Sequence, residues 1–65
     1  MIIDLRSEKL GGIARYESSV IPRIGETITN LQAGSVMIVV AVDHLIKESM
    51  GKYFQELITV EVVHK

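Results

Sequence analysis

The sequence of 65 residues contains no cysteine, no tryptophan and a single proline, and its aromatic residues number only three. Without cysteine the chain can form neither a disulfide scaffold nor a zinc ribbon, and it has no thiol nucleophile. Neither sign of charge is in clear excess, because the chain contains seven Lys and Arg residues and eight Asp and Glu residues. A protein held on duplex nucleic acid by phosphate contacts usually carries a clear basic excess.

Long hydrophobic runs are missing as well. The longest, Val36 to Val42, is far shorter than the ~20 residues that span a bilayer, and no charged-then-apolar leader opens the sequence. The hydrophobic content of 48% is nevertheless too high for a disordered chain. We therefore expect one compact, soluble domain over residues 1–65, located in the cytoplasm and without membrane contact.

Two segments show the clearest patterns, and both predict β-strands. From Leu57 to His64 the sequence alternates, so that Ile58, Val60 and Val62 share one face, as in a half-buried strand. The run from Val36 to Val42 is apolar at every position and mostly β-branched. Such a run is typical of a central strand that is covered on both faces.

The N-terminal half predicts further strands with weaker patterns. Met1 to Arg6 alternates, and Gly11-Gly12 permits a tight reversal of the backbone. A second strand is predicted from Ile13 to Ile21 and must stop or lie at an edge at Pro22, which cannot donate to a sheet ladder. For residues 24–31 we expect a turn followed by a short strand.

Residues 44–54 allow two interpretations. His44 to Met50 could form two helical turns with Gly51 as the C-cap. The alternative, which we favour, continues the flanking strands into a long hairpin whose tip lies between Lys47 and Lys52. The polar residues and the glycine in this segment suit a hairpin tip.

Together these elements predict an all-β fold. Four to five short strands in so short a chain fit a small SH3-like barrel or a curled antiparallel meander, with the hairpin or a short helical turn near residues 44–50. The run from Val36 to Val42 is too apolar for one small barrel interior, so it needs a cover. Either the 44–54 segment or a second chain would provide it, and we expect a homodimer or a higher oligomer.

The segment around the proline resembles part of a known group of proteins. Pro22-x-x-Gly25-Glu26-x-Ile28, a glycine-containing turn and then Val39-x-x-Val42-x-His44 are similar to the layout of small uncharacterised bacterial and phage proteins with SH3-like barrels. The similarity covers about a third of the chain, and Met37 stands where those proteins often have an aromatic residue. It implies the barrel fold and a phage or prophage setting, and it implies no defined activity. From the turn itself we expect Glu26 to accept backbone N–H groups.

A second, local resemblance involves Arg23-Ile24-Gly25-Glu26-Thr27-Ile28, which is similar to the opening strand of the carbon storage regulator family of small RNA-binding dimers. About twenty residues precede the motif here, whereas the family carries it at the start of the chain. The family's RNA-contacting arginines fall at Pro22 and at Lys65. The alternative function that this resemblance implies is RNA binding through Arg23, Lys52 and Lys65. The aromatic rings beside Lys52 are the candidates for stacking on bases.

The sequence offers little for catalysis. No serine lies in a Gly-x-Ser-x-Gly elbow, and the glutamates have no spacing that pairs two carboxylates. His44 and His64 are the only imidazoles, and a hairpin would hold them apart, whereas a metal site needs three or four ligands. We expect no enzyme activity, no catalytic residue, no metal and no cofactor.

The best candidates for a functional surface are the large apolar residues of the 44–54 segment. Apolar side chains on a protruding tip commonly mark a protein–protein contact. The sequence therefore predicts a non-enzymatic protein-binding or adaptor module, acting on a protein partner or by self-assembly, and the candidate residues are Leu45, Ile46, Met50 and Tyr53. For the neighbouring Phe54 we expect a position in the core, with Tyr53 capping a strand pair. Sequestration of a small ligand at an oligomer interface is a third alternative.

Overall fold

The computed structural model describes residues 1–65 and contains five β-strands and no helix. The all-β prediction is therefore confirmed, and the helical alternative for residues 44–50 is not adopted. The strands are β1 (Ile2–Ser7), β2 (Gly11–Glu17), β3 (Thr27–Asn30), β4 (Ser35–Ser49) and β5 (Lys52–His64).

All five strands form one curled sheet, a half-barrel with the order β2-β1-β5-β4-β3. The two edges are β2 and β3, and β5 lies in the centre. Three of the four strand pairs are antiparallel, but β1 and β5 run parallel, with Ile3 opposite Ile58 and Leu5 opposite Val60. The first and last strands thus meet in the middle of the sheet.

The core lies on the concave face of this sheet. Alternation places every second residue of β1, β4 and β5 on that face, and the buried side chains are those that the period-two patterns put together. They are Ile3, Leu5, Met37, Val39, Ile58, Val60 and Val62. Tyr16 from β2 and Ile28 from β3 pack against this cluster from the two edges.

The second strand is shorter than the sequence predicts at its C-terminal end. It stops at Glu17, and Ser18 begins a turn in which its hydroxyl accepts from the Val20 N–H at 3.1 Å and donates to the Val20 carbonyl at 2.8 Å. A serine side chain that bonds to nearby backbone in this way competes with the ladder. Alternation that continued to Ile21 could not reveal this turn.

The turn after Pro22 has the predicted construction. Gly25 has φ of +92°, which a residue with a Cβ rarely adopts. The Arg23 N–H donates to the Glu26 carboxylate, which confirms the expected role of that side chain. The Gly25 N–H donates to the Val39 carbonyl and the Val39 N–H to the Glu26 carbonyl, both at 2.9 Å. The turn therefore leads directly into β3, the short strand expected there.

The outer face of β4 differs from the prediction. Val36 and Ile38 are only half-buried, and Val40 is exposed, so the strand is covered on one face rather than two. The 44–54 segment does not fold back over this face, because it continues both strands outward. The molecule is accordingly elongated, with a longest dimension of 44 Å against 21 and 19 Å.

Candidate functional site

The candidate site is the distal half of the β4–β5 hairpin, residues 44–55, which we call the arm. Every residue of the arm is exposed, whereas all seven core residues lie outside it. Its tip is a two-residue turn formed by Met50, with φ of +52°, and Gly51, with φ of +76°. Two consecutive positive φ angles are typical of a type I′ turn, whose twist matches that of the strands it joins.

The arm has two faces that carry different side chains. Directly opposed residues of an antiparallel pair share a face, so the register defines both sets. One face carries Ile46 opposite Gln55 and Tyr53 opposite Glu48. On this face the Gln55 amide Nε2 lies 2.9 Å from His44 Nδ1. We call it the polar-aromatic face.

The other face is more apolar, and we call it the leucine face. Leu45 lies opposite Leu57, and Phe54 lies opposite Lys47. Phe54 is 54% exposed, so the expectation that it belongs to the core is wrong. The reason is its distance from the sheet: the core face ends at Ile58, and Phe54 lies beyond that point on a two-stranded ribbon with no layer above it.

The outer edge of β4 along the arm is unpaired. Its neighbour β3 pairs only with Ser35 to Ile38, and the last backbone hydrogen bonds on this edge are those of Val39. No backbone hydrogen bond joins the following residues, Ala41 to Ser49, to anything other than β5. A long unpaired edge of this kind is a template for pairing with another strand.

The outer edge of β5 along the arm is less suited to pairing. β1 pairs with β5 only from Ile58 onward, which leaves Lys52 to Leu57 free. Within this stretch the register shifts: Leu45 opposes Leu57 and Ile46 opposes Gln55, so Glu56 is the extra residue of a β-bulge. Bulges twist an edge away from regular pairing, so the edge of β4 is the more accessible of the two.

The structure brings the four predicted protein-binding residues onto one arm but divides them. Ile46 and Tyr53 share the polar-aromatic face, Leu45 lies on the leucine face, and Met50 is 98% exposed at the tip. Sequence reasoning missed the contribution of Phe54 and Leu57 to the leucine face. Locating the turn at Met50-Gly51 would have revealed the pairing of Phe54 with Lys47, whereas the pairing of Leu57 with Leu45 depends on the bulge at Glu56.

The alternative nucleic-acid set is not brought together. Lys52 lies at the tip of the arm, whereas the Lys65 N–H bonds to the Val36 carbonyl at the opposite end of the hairpin, about 40 Å away along the strand. Arg23 lies in the turn before β3. Three cations so far apart do not form one continuous contact surface.

Two ionisable groups outside the arm, Asp4 and Tyr16, have structural roles. Asp4 is buried on the convex face, where its carboxylate accepts from Arg6 Nε at 2.7 Å and from Arg15 Nε at 3.4 Å. The hydrogen bond from Arg6 outweighs the cost of burial and lowers the pKa of Asp4 from its usual 3.8. Burial also raises the pKa of Tyr16. Of these contacts, the ion pair between Arg15 and Asp4 joins β2 to β1.

An open groove lies between the 19–24 segment and β4, and the residues that line it include Val20, Ile24, Val42 and His44. No three His, Asp or Glu side chains lie close enough together to hold a metal ion. The chain contains no helix with the length and apolar character needed to cross a membrane.

Comparison with known proteins identifies no relative: no family model, no curated protein and no solved structure matches this chain.

Proposed function

We propose that this chain is a non-enzymatic protein-binding module and that the arm is its contact surface. The observation that carries the proposal is the exposure of large apolar side chains on a ribbon that the core does not use. Ile46, Tyr53 and Met50 are 62%, 68% and 98% exposed. Large apolar side chains exposed on a protruding segment commonly mark a protein contact.

The residue types on the arm also suit a contact of this kind. Tyrosine, phenylalanine and methionine are enriched in the buried centres of protein interfaces. The unpaired edge of β4 adds a row of backbone donors and acceptors between Ala41 and Ser49. Addition of a strand to such an edge supplies affinity through the backbone, while the neighbouring side chains supply specificity.

The experiment is site-specific photo-crosslinking in extract of the source cells. A photoreactive phenylalanine derivative replaces Tyr53 on the arm or, as a matched control, Leu31, which is 91% exposed in the β3–β4 turn. We expect one discrete crosslinked species from position 53, competed away by an excess of the unlabelled chain, and no such species from position 31. Equal or non-competed crosslinking at both positions would contradict the proposal.

A further inference from the structure

We infer that the arm binds a second copy of this chain, by antiparallel pairing of the two β4 edges about a two-fold axis at Leu45. This inference rests on the proposed function, since it names the partner of the same surface. The resulting dimer has a continuous four-stranded ribbon, in the order β5-β4-β4-β5. Three independent observations support this arrangement: the extent of the free edge, its charges and its leucine face.

The extent of the free edge fixes where the axis lies. The edge starts after Val40, the extra residue of a β-bulge, and ends at the turn formed by Met50 and Gly51. Ala41 to Ser49 lies between these limits, and its midpoint is Leu45. Antiparallel self-pairing that uses the whole stretch must be centred on this residue. It would form about eight to ten backbone hydrogen bonds, as many as a typical protein interface contains.

The charges on the edge are self-complementary in this register. Pairing centred on Leu45 places Asp43 opposite Lys47 of the second copy, and the two-fold axis repeats the pair on the other side. Opposite charges that face each other across a sheet stabilise the pairing, and like charges destabilise it. Moving the axis by one residue in either direction separates both pairs. The charges and the length of the free edge therefore favour the same register, the one centred on Leu45.

The leucine face becomes continuous in the same register. Leu45 opposes Leu57 within one chain, and it would oppose Leu45 of the second copy across the axis. Four leucines then form one row across the four strands. Leu45 is 42% exposed in the single chain, and contact with Leu45 of the second copy would cover part of this exposed surface. Phe54 of each copy flanks the row and adds to the apolar surface on that side.

Cysteine crosslinking of the full chain tests the register directly, because the protein has no cysteine of its own. Opposed residues of an antiparallel pair lie about 4.5–5.5 Å apart at Cα, within the range that a disulfide bridges. We expect Leu45→Cys to form a disulfide-linked dimer under mild oxidation. Lys47→Cys alone is the control, since its two copies would lie about 13 Å apart.

A mixture of two other cysteine variants leaves Leu45 unchanged. It therefore tests the register even if Leu45→Cys weakens the association of the two copies. Asp43→Cys mixed with Lys47→Cys should give a crosslinked heterodimer in high yield, while neither variant crosslinks efficiently alone. Equal yields from all combinations, or no crosslink from either the mixture or Leu45→Cys, would overturn the inference.

Charge reversal measured by analytical ultracentrifugation provides the second test. Asp43→Lys and Lys47→Asp should each raise the dimer dissociation constant about tenfold, because each reversal turns two attractive pairs into repulsive ones. The double variant restores both attractions and should recover the native constant. A native chain that stays monomeric at high concentration, or single reversals without effect, would overturn the inference.

The two proposals fail in distinguishable ways. A monomeric chain whose position 53 still captures another protein specifically would leave the proposed function standing and would overturn the homodimer. Loss of all specific crosslinking at position 53 together with a monomeric chain would overturn both.

Discussion

Ile58 and Ile46 carry the same side chain on the same hairpin but have opposite surroundings. Ile58 is fully buried on the concave face, opposite Ile3 of the parallel strand β1. Ile46 is 62% exposed on the arm. The contribution of each residue to stability therefore depends on whether it lies inside or beyond the curled part of the sheet. Removal of one methylene from each side chain, followed by measurement of the free energy of unfolding, compares the two contributions.

Ile58→Val should lower the free energy of unfolding by about 1 kcal/mol, because the removed methylene leaves a gap in a packed core. Ile46→Val should change it by less than about 0.5 kcal/mol, as expected for a surface position. Urea denaturation of the two variants beside the native chain measures both values. A cost as large at Ile46 as at Ile58 would show that the arm is packed in the isolated chain.

Asp4 gives the molecule a dependence on acid. Its pKa is lowered chiefly by the hydrogen bond from Arg6, with a further contribution from Arg15, so folding favours the charged carboxylate. The stabilisation is complete above the unfolded-state value of 3.8 and is lost as the pH falls through the lower folded-state value.

Asp4→Asn should therefore be less stable than the native chain at neutral pH, and the difference should shrink below pH 3.8. The midpoints of thermal unfolding at several pH values between neutrality and pH 2 measure it. Glu61→Gln, also on the convex face but without an ion pair, is the matched control and should lower the stability at neutral pH by less than Asp4→Asn does. A constant difference for Asp4→Asn at all pH values would mean that its charge is not what stabilises the fold.

At the scale of the elements, the stability of the arm depends on the two-residue turn at its tip. Met50 adopts the left-handed conformation although it is not a glycine, and its side chain makes no compensating contact, since it is 98% exposed. Asparagine tolerates this conformation better, and Asn-Gly is the preferred sequence of a type I′ turn. The native turn thus carries a conformational cost that the strands on both sides offset.

Met50→Asn should stabilise the arm by about 0.5–1 kcal/mol. The readout is amide hydrogen exchange at residues 44–55, which should slow by about two- to fivefold. Gly51→Ala is the opposing variant: a Cβ there meets no other atom, so the positive φ alone should make the arm open more readily. Unchanged exchange in both variants would contradict this assignment of strain to the turn.

Prediction of the elements succeeded where a local pattern is decisive. Alternation identified β5, the apolar run identified β4, and the Pro22 turn with Glu26 as acceptor follows from residues adjacent in sequence. The parallel pairing of β1 with β5 could not be predicted, because period two defines a face of each strand but not its neighbour. The leucine face was missed for a related reason: it depends on a bulge at Glu56 that shifts the register.

At the scale of the whole molecule, the core and the arm are separate. All seven buried apolar residues lie in β1, in β4 up to Val39 and in β5 from Ile58 onward. His44 opposes Ile58, so a two-residue turn between these positions closes the hairpin just beyond the core. The arm can accordingly be removed without opening the concave face.

Replacement of residues 45–57 by Asn-Gly should give a folded monomer. We expect the strand signal in circular dichroism and a cooperative thermal transition to remain, since no core residue is lost, while sedimentation shows no concentration-dependent association. An unfolded product would mean that the arm contributes to the stability of the sheet.

The central position of β5 also determines the order in which the fold can form. Its neighbour β1 is the first strand of the chain, so the innermost pairing joins residues more than fifty positions apart, Ile3 with Ile58. During synthesis, β1 and β2 can form a hairpin early. The apolar side of this hairpin stays exposed until β5 has left the ribosome. Such high contact order is typical of folding in milliseconds to seconds rather than microseconds. The nascent chain therefore exposes its future core until translation of these residues is finished.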